Sequence, residues 1–323
     1  MRRRSAALLA VMLVFLAACG LPSRKDPETP VKVAVTTSEA ESVFERHIDT
    51  RSTAYKLLDA NLLTAVEAGP LLEIDAGEIA VRSQLGKKER NGAVSGTNAT
   101  MTDVYAPRFH EYPLWFLAVV RDDDSGLMRL QVFSRQAAAR PWVLVASPEA
   151  RSADAIPELA LDAHDAPEIL PVNARSALVG SPQSVAETYA EALQNPGSES
   201  ATQIGDDTFI DQVRSADAEI SALKGVTYEQ TWKPHDVKHA VRTADGGALV
   251  FATFTREEKY QIKDGVTVDW PDGSPQKAFL GGDLQARGKL RYNHQVLLYV
   301  PAEGEGQPRA VGQYGGIIDG DGY

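Results

Sequence analysis

Leu290-Arg291-Tyr292-Asn293-His294-Gln295-Val296-Leu297-Leu298-Tyr299-Val300 is the stretch whose reading decides the fold. Its period is two. Leu290, Tyr292, His294, Val296, Leu298 and Val300 fall on one face, with Arg291, Asn293 and Gln295 on the other, as successive side chains of a strand must. The first face is mostly apolar, so Tyr292 and His294 stand on the core side, where an unpaired polar group costs roughly 1–3 kcal/mol. Either they bond to protein groups within the core or they line a cavity. If this half of the chain holds a ligand pocket, Tyr292 and His294 are its expected polar contacts.

This stretch belongs to a strand-like run at about 286–300, and further runs surround it at about 227–232, 235–243, 248–260 and 309–318. Turn signals separate them, including Asp245-Gly246-Gly247, Asp264-Gly265, Asp272-Gly273 and Gly281-Gly282. Two helical patterns come first. Ser181-Pro182 supplies an N-cap and a first-turn proline, and Val185, Tyr189 and Leu193 then share a face. Phe209, Val213, Ala216, Ile220 and Leu223 form a second stripe, which Gly225 ends.

The first half repeats that order. Ser38-Glu39-Ala40-Glu41 fits a capping box, and Phe44, Ile48, Tyr55 and Leu58 follow at helical spacing with a gap near Arg51. A shorter helical piece spans about 60–67 and stops at Gly69-Pro70. Leu71–Ile74 and Ile79–Gln84 read as short strands, and 86–102 as a polar loop. Leu114–Val120, Leu127–Arg135 and Trp142–Ala146 read as strands, with Asp122-Asp123-Asp124-Ser125-Gly126 as the hairpin turn between the first two. Between the halves, 151–180 is rich in Ala, Asp and Pro and reads as a linker. Each half, helices first and antiparallel strands after, is similar to the nuclear-transport-factor-like (cystatin-like) cone. The expectation is therefore α+β, with tandem domains at 36–150 and 181–323. That resemblance also implies a concave face able to bind or transform a small apolar molecule.

The N-terminus says where such a protein would work. Arg2, Arg3 and Arg4 precede an uncharged run from Ala6 to Ala18, too short for a membrane span of about 20 residues but fitting a secretory signal. Leu16-Ala17-Ala18-Cys19 resembles the lipobox of bacterial lipoproteins, which implies a signal peptide at 1–18 and lipid attachment at Cys19. Residues 19–35, with Pro22, Pro27 and Pro30, read as a flexible tether. Cys19 is the sole cysteine, which rules out an internal disulfide. The composition as a whole is similar to that of uncharacterised secreted lipoproteins of high-GC Gram-positive bacteria.

The 323-residue chain carries a net charge of −11, and loss of the leader arginines makes it three units more negative. That balance speaks against nucleic acid and against electrostatic adhesion to anionic lipid, leaving the anchor to do the holding. No Gly-x-Ser-x-Gly, phosphate-binding loop or His-Glu-x-x-His occurs, so no catalytic residue, cofactor or metal is assigned. His235-Asp236-Val237-Lys238-His239 is the densest set of metal-capable residues. On a strand its histidines lie about 13 Å apart, too far to share an ion. The sequence expectation is a lipid-anchored extracytoplasmic protein that binds a small ligand or another envelope component without catalysis. The alternative is an enzyme of the cone-pocket type.

Overall fold

Helix α1, Thr37–Leu57, begins two residues earlier than the capping box suggests. The Thr36 hydroxyl accepts from the amide of Glu39, so Thr36 is the cap. The computed structural model describes residues 31–85, 94 and 96–322; the signal peptide, Cys19 and most of the tether lie outside them. A 3-10 turn at Ala60–Ala65 follows. Helix α2, Pro70–Gln84, then replaces the two strands expected there. Gly69 has φ +66° and Pro70 occupies the first turn, so the Gly-Pro pair starts a helix rather than ending one.

The strands are β1 (Ala99–Tyr105), β2 (Leu114–Asp122), β3 (Met128–Arg135), β4 (Val143–Ala146) and β5 (Glu149–Ala150). Helices α3 (Pro182–Gln194), α4 (Glu199–Thr202) and α5 (Thr208–Ser221) follow, then β6 (Val226–Pro234), β7 (Ala240–Arg242) and β8 (Ala248–Ile262). Helix α6 (Pro275–Leu280), β9 (Arg287–Val300) and β10 (Arg309–Gly322) complete the order. The α+β class with antiparallel strands is as expected.

Tandem domains are not what these strands build. Residues 33–323 form one compact unit. Apart from a short pair of Lys32–Val33 with Arg108–Phe109, the strands of the described residues form one antiparallel sheet that runs β1-β2-β3-β5-β10-β9-β8-β6, with β4 beside β3 and β7 beside β8. The joint is narrow: β5 meets β3 at two residue pairs and β10 at one, Gln313 with Glu149. The segment read as a linker is part of the body too. Leu159 and Ile169 bridge to Thr243 and Val241, and Leu178 to Ala302.

Burial explains why the halves do not separate. Phe116, Ala118, Val120 and Phe133 face α1 residues Ala40, Val43 and Phe44. On the opposite face, Trp115, Leu117, Leu130 and Val132 pack against Val241, Leu249, Phe251 and Leu297. The far side of the second half, with Val250, Ala252, Phe254, Val296 and Leu298, is covered by Val185, Tyr189, Leu193 and Phe209. The sheet thus folds back on itself at the β5 joint, so that its first-half and second-half parts lie face to face, as two sheets, between outer helices. Buried on both faces, β2 and the end of β9 lose strict alternation and run apolar, as interior strands do.

Helix α2 crosses between the halves. A Cβ at Gly77 would lie well inside contact distance of the Ile317 carbonyl on β10, so only glycine permits this approach. Beside it Arg51 pairs with Glu67 at 3.2 Å and with Asp75, and Tyr314 of β10 donates to Asp75. His47 is 3.0 Å from Glu67. His47, Arg51, Glu67 and Asp75 are almost wholly buried, and the gap among His47, Arg51, Asp75 and Arg129 leaves no room for a water molecule.

A candidate ligand-binding cleft between the two sheets

Tyr292 and His294 do lie on the face the alternation gives them, but they do not line a ligand pocket. The Tyr292 hydroxyl donates to Glu258 Oε2 at 2.8 Å. Glu258 also accepts from Tyr228 and Tyr260 and pairs with Arg256 at 2.9 Å. The His294 ring is packed among Phe209, Trp232 and Tyr292, at centroid distances of 5.4, 5.1 and 5.8 Å. Neither of its nitrogens has a hydrogen-bond partner, and burial, with the nearby Arg256 charge, pushes its pKa well below the usual value. Phe209 and Trp232 fill the space that the expected pocket needed.

The space lies elsewhere, at the seam between the sheets. A cavity of about 650 Å³ is bounded by Trp115 on β2, Ser134 on β3, Val145 and Ala146 on β4, and Phe251 and Thr253 on β8, with 235–239 across it. Its volume is in the range of small-molecule sites. The seam opens here because the second-half inner face changes character along its length. Leu249 and Phe251 are followed by Thr253 and Thr255, and across from these stand Gln295 and Asn293 rather than Leu297. Gln295 ties the sheets together by accepting from the Ser147 amide at 2.9 Å and donating to the Val145 carbonyl at 2.8 Å.

The segment holding both candidate histidines is not the expected strand. Strand β6 ends at Pro234, which pairs Phe254, and β7 resumes on the same edge at Ala240 opposite Val250. Proline has no N–H to extend the ladder, and Val237 is drawn into the outer core. Residues 235–239 therefore leave the sheet and lie over the cleft. The His239 ring meets Trp115 at 5.2 Å and Phe251 at 6.5 Å, both edge to face. Burial, reinforced by the Lys238 charge, lowers its pKa to about 4, so at pH 7 it is a neutral polar group in an aromatic wall. His235 is exposed, with Nε2 2.8 Å from the Thr255 hydroxyl. No group of three His, Cys, Asp or Glu suited to a metal ion occurs among the described residues.

A second cleft, about 570 Å³, sits at the β5–β10 joint and is lined by charges of both signs, Arg151 and Arg309 with Asp154, Asp206 and Asp207. Asp207 is committed to structure. It caps α5 through the amides of Phe209 and Ile210 and accepts from Tyr189 and the Ala310 amide. The Asp122–Asp124 run is turn chemistry, with Asp122 Oδ1 accepting from the Ser125 amide at 2.7 Å.

The strongest electrostatic feature went unread in the sequence. Burial and the neighbouring Asp75 raise Glu67 to about 9. Burial also acts on Asp75, but the Arg51 charge and the hydrogen bonds from Arg51 and Tyr314 hold it below its usual range. His47 falls to about 3 through burial and Arg51. Such shifts accompany structural ion networks as well as active sites, and this one is closed to ligands. The signal that could have found it was the gap at Arg51 itself, which stands four residues after His47 and four before Tyr55 on the inward stripe.

A family model described as a domain of unknown function, DUF8094, matches residues 31–322. An "Uncharacterized lipoprotein" of Streptomyces coelicolor is 26% identical over 315 residues, covering 91% of this chain and 88% of that one. Another, from Streptomyces avermitilis, is 26% identical over 292 residues, covering 88% and 84%. No solved structure matches.

Proposed function

The chain belongs to the DUF8094 family, and from that premise we propose that it is a lipid-anchored extracytoplasmic protein whose body binds a small ligand between its sheets, without a reaction step. Anchoring is supported by Leu16-Ala17-Ala18-Cys19 and by the lipoprotein names of the two Streptomyces relatives. Two acyl chains on a cysteine hold a protein at a membrane where one does not. The tether then spaces the body from the bilayer.

The observation that carries the binding reading is the cleft at the seam. Sheets packed face to face normally interdigitate their side chains, yet here Trp115, His239 and Phe251 wall a ligand-sized space. The expected occupant is a neutral, partly apolar molecule.

Two measurements test the two parts. Cys19→Ser is expected to move the protein from the membrane fraction to the medium or to leave it unprocessed; partition like wild type ends the anchor reading. For the cleft, Thr253→Trp is expected to fill the space while circular dichroism stays unchanged. A naphthalene probe, followed by ligand-observed NMR, is expected to bind wild type and not this variant. Equal binding to both removes the cleft from consideration.

A further inference from the structure

Deepening the small-ligand reading, on which it rests, we propose that the cleft selects a neutral ring compound carrying a hydroxyl or N–H donor, which is received by Nδ1 of His235. The hydrogen bonds that fix the ring pass through the buried Asn293. Glu73 is a carboxylate and can only accept, so Asn293 turns Nδ2 towards it, at 2.6 Å. That places Asn293 Oδ1 2.9 Å from the Thr255 hydroxyl, and since an amide oxygen cannot donate, the hydroxyl must. A hydroxyl has one proton. Its lone pairs are what remain for His235 Nε2 at 2.8 Å, so the ring carries its proton there. In neutral imidazole the other nitrogen is then an acceptor, and Nδ1 of His235 takes no hydrogen bond among the described residues.

Charge fixes the rest of the class. His239 is neutral at pH 7, and Asp236 and Lys238, both exposed, bring one charge of each sign to the rim. The lining thus offers no net charge to an anion or a cation. Its aromatic rings suit a planar or cyclic apolar body, and His235 supplies an acceptor at the edge. A donor-bearing neutral ring satisfies both; a carboxylate would set an acceptor against an acceptor.

The test compares naphthalene, 2-naphthol and 2-naphthoate by isothermal calorimetry on the purified full chain at pH 7.5. One added hydrogen bond should make 2-naphthol about three- to tenfold tighter than naphthalene, with 2-naphthoate weaker than 2-naphthol. Thr255→Val removes the group that fixes the tautomer. It should weaken the preference for 2-naphthol, while two-bond proton–nitrogen NMR shows His235 passing from the Nε2–H form to a mixture. His235→Phe, at an exposed position, should abolish the preference and covers a folding failure of Thr255→Val. Equal affinity for naphthalene and 2-naphthol in wild type, or an Nδ1–H ring there, overturns the proposal while the cleft reading stands. If none of the three probes binds, both fall.

Discussion

A neutral histidine walled in by Phe209, Trp232 and Tyr292 makes folding sensitive to acid. His294 has its folded pKa far below the usual 6.5. Below that value the unfolded chain takes the proton and the folded chain does not, so stability falls as pH falls. His47 and His239, at about 3 and about 4, act in the same direction. His294→Leu removes one such group. In denaturant titrations its stability deficit relative to wild type is expected to narrow from pH 7 to pH 5, by up to about 1.4 kcal/mol per pH unit below 6.5; a constant deficit refutes it. The face of β9 on which His294 stands could be read from alternation alone. What surrounds it could not, because Phe209 and Trp232 come from α5 and β6, and no period within one strand names its neighbours. Arg51 is the reverse case. It looks like a break in an apolar stripe, yet it is 3% exposed and held by the carboxyl groups of Glu67 and Asp75.

Helix α2 decides how far pattern reading reaches at the level of an element. Leu71–Ile74 and Ile79–Gln84 look like two strands because the helix is buried on several sides and has no single stripe. Its buried residues include Leu71, Ile74, Asp75, Gly77 and Ile79. Gly77 is the position to probe. Alanine is the better helix former by about 1 kcal/mol, but its methyl would meet the backbone of Ile317, which cannot turn aside as a flexible side chain can. Gly77→Ala is therefore expected to lose stability, on the order of 1–3 kcal/mol by chemical denaturation. A stabilised variant would show that α2 stands away from β10. Capping signals fared better than periods. Ser181-Pro182 was legible and opens α3 with the Ser181 hydroxyl accepting from the Ser184 amide. The same pair at Ser274-Pro275 opens α6 and went unread, since that helix is only six residues long before Gly281.

Over the whole molecule, sequence order and spatial order part company. Helices followed by antiparallel strands recur in each half, which is why tandem domains look natural. The decisive contacts are between halves. Leu249, Phe251 and Leu297 lie under Trp115, Leu117 and Leu130, and a strand with two apolar faces reads the same whether one or two domains cover it. Full-length protein is expected to unfold in one cooperative transition, and a 181–322 fragment to be unfolded or aggregated, because it exposes that inner face. A soluble fragment with native circular dichroism would restore the two-domain reading. The position of β10 has a consequence in time. It is made after every other described element, yet it sits in the middle of the sheet, between β5 and β9, and α2 rests on it. During synthesis the earlier strands therefore wait with open edges, and such edges invite pairing with other chains. Contacts as distant in sequence as Gly77 and Ile317 also form slowly. A chain interrupted before residue 309 has no centre to close around, so the body assembles only once β10 itself has been made.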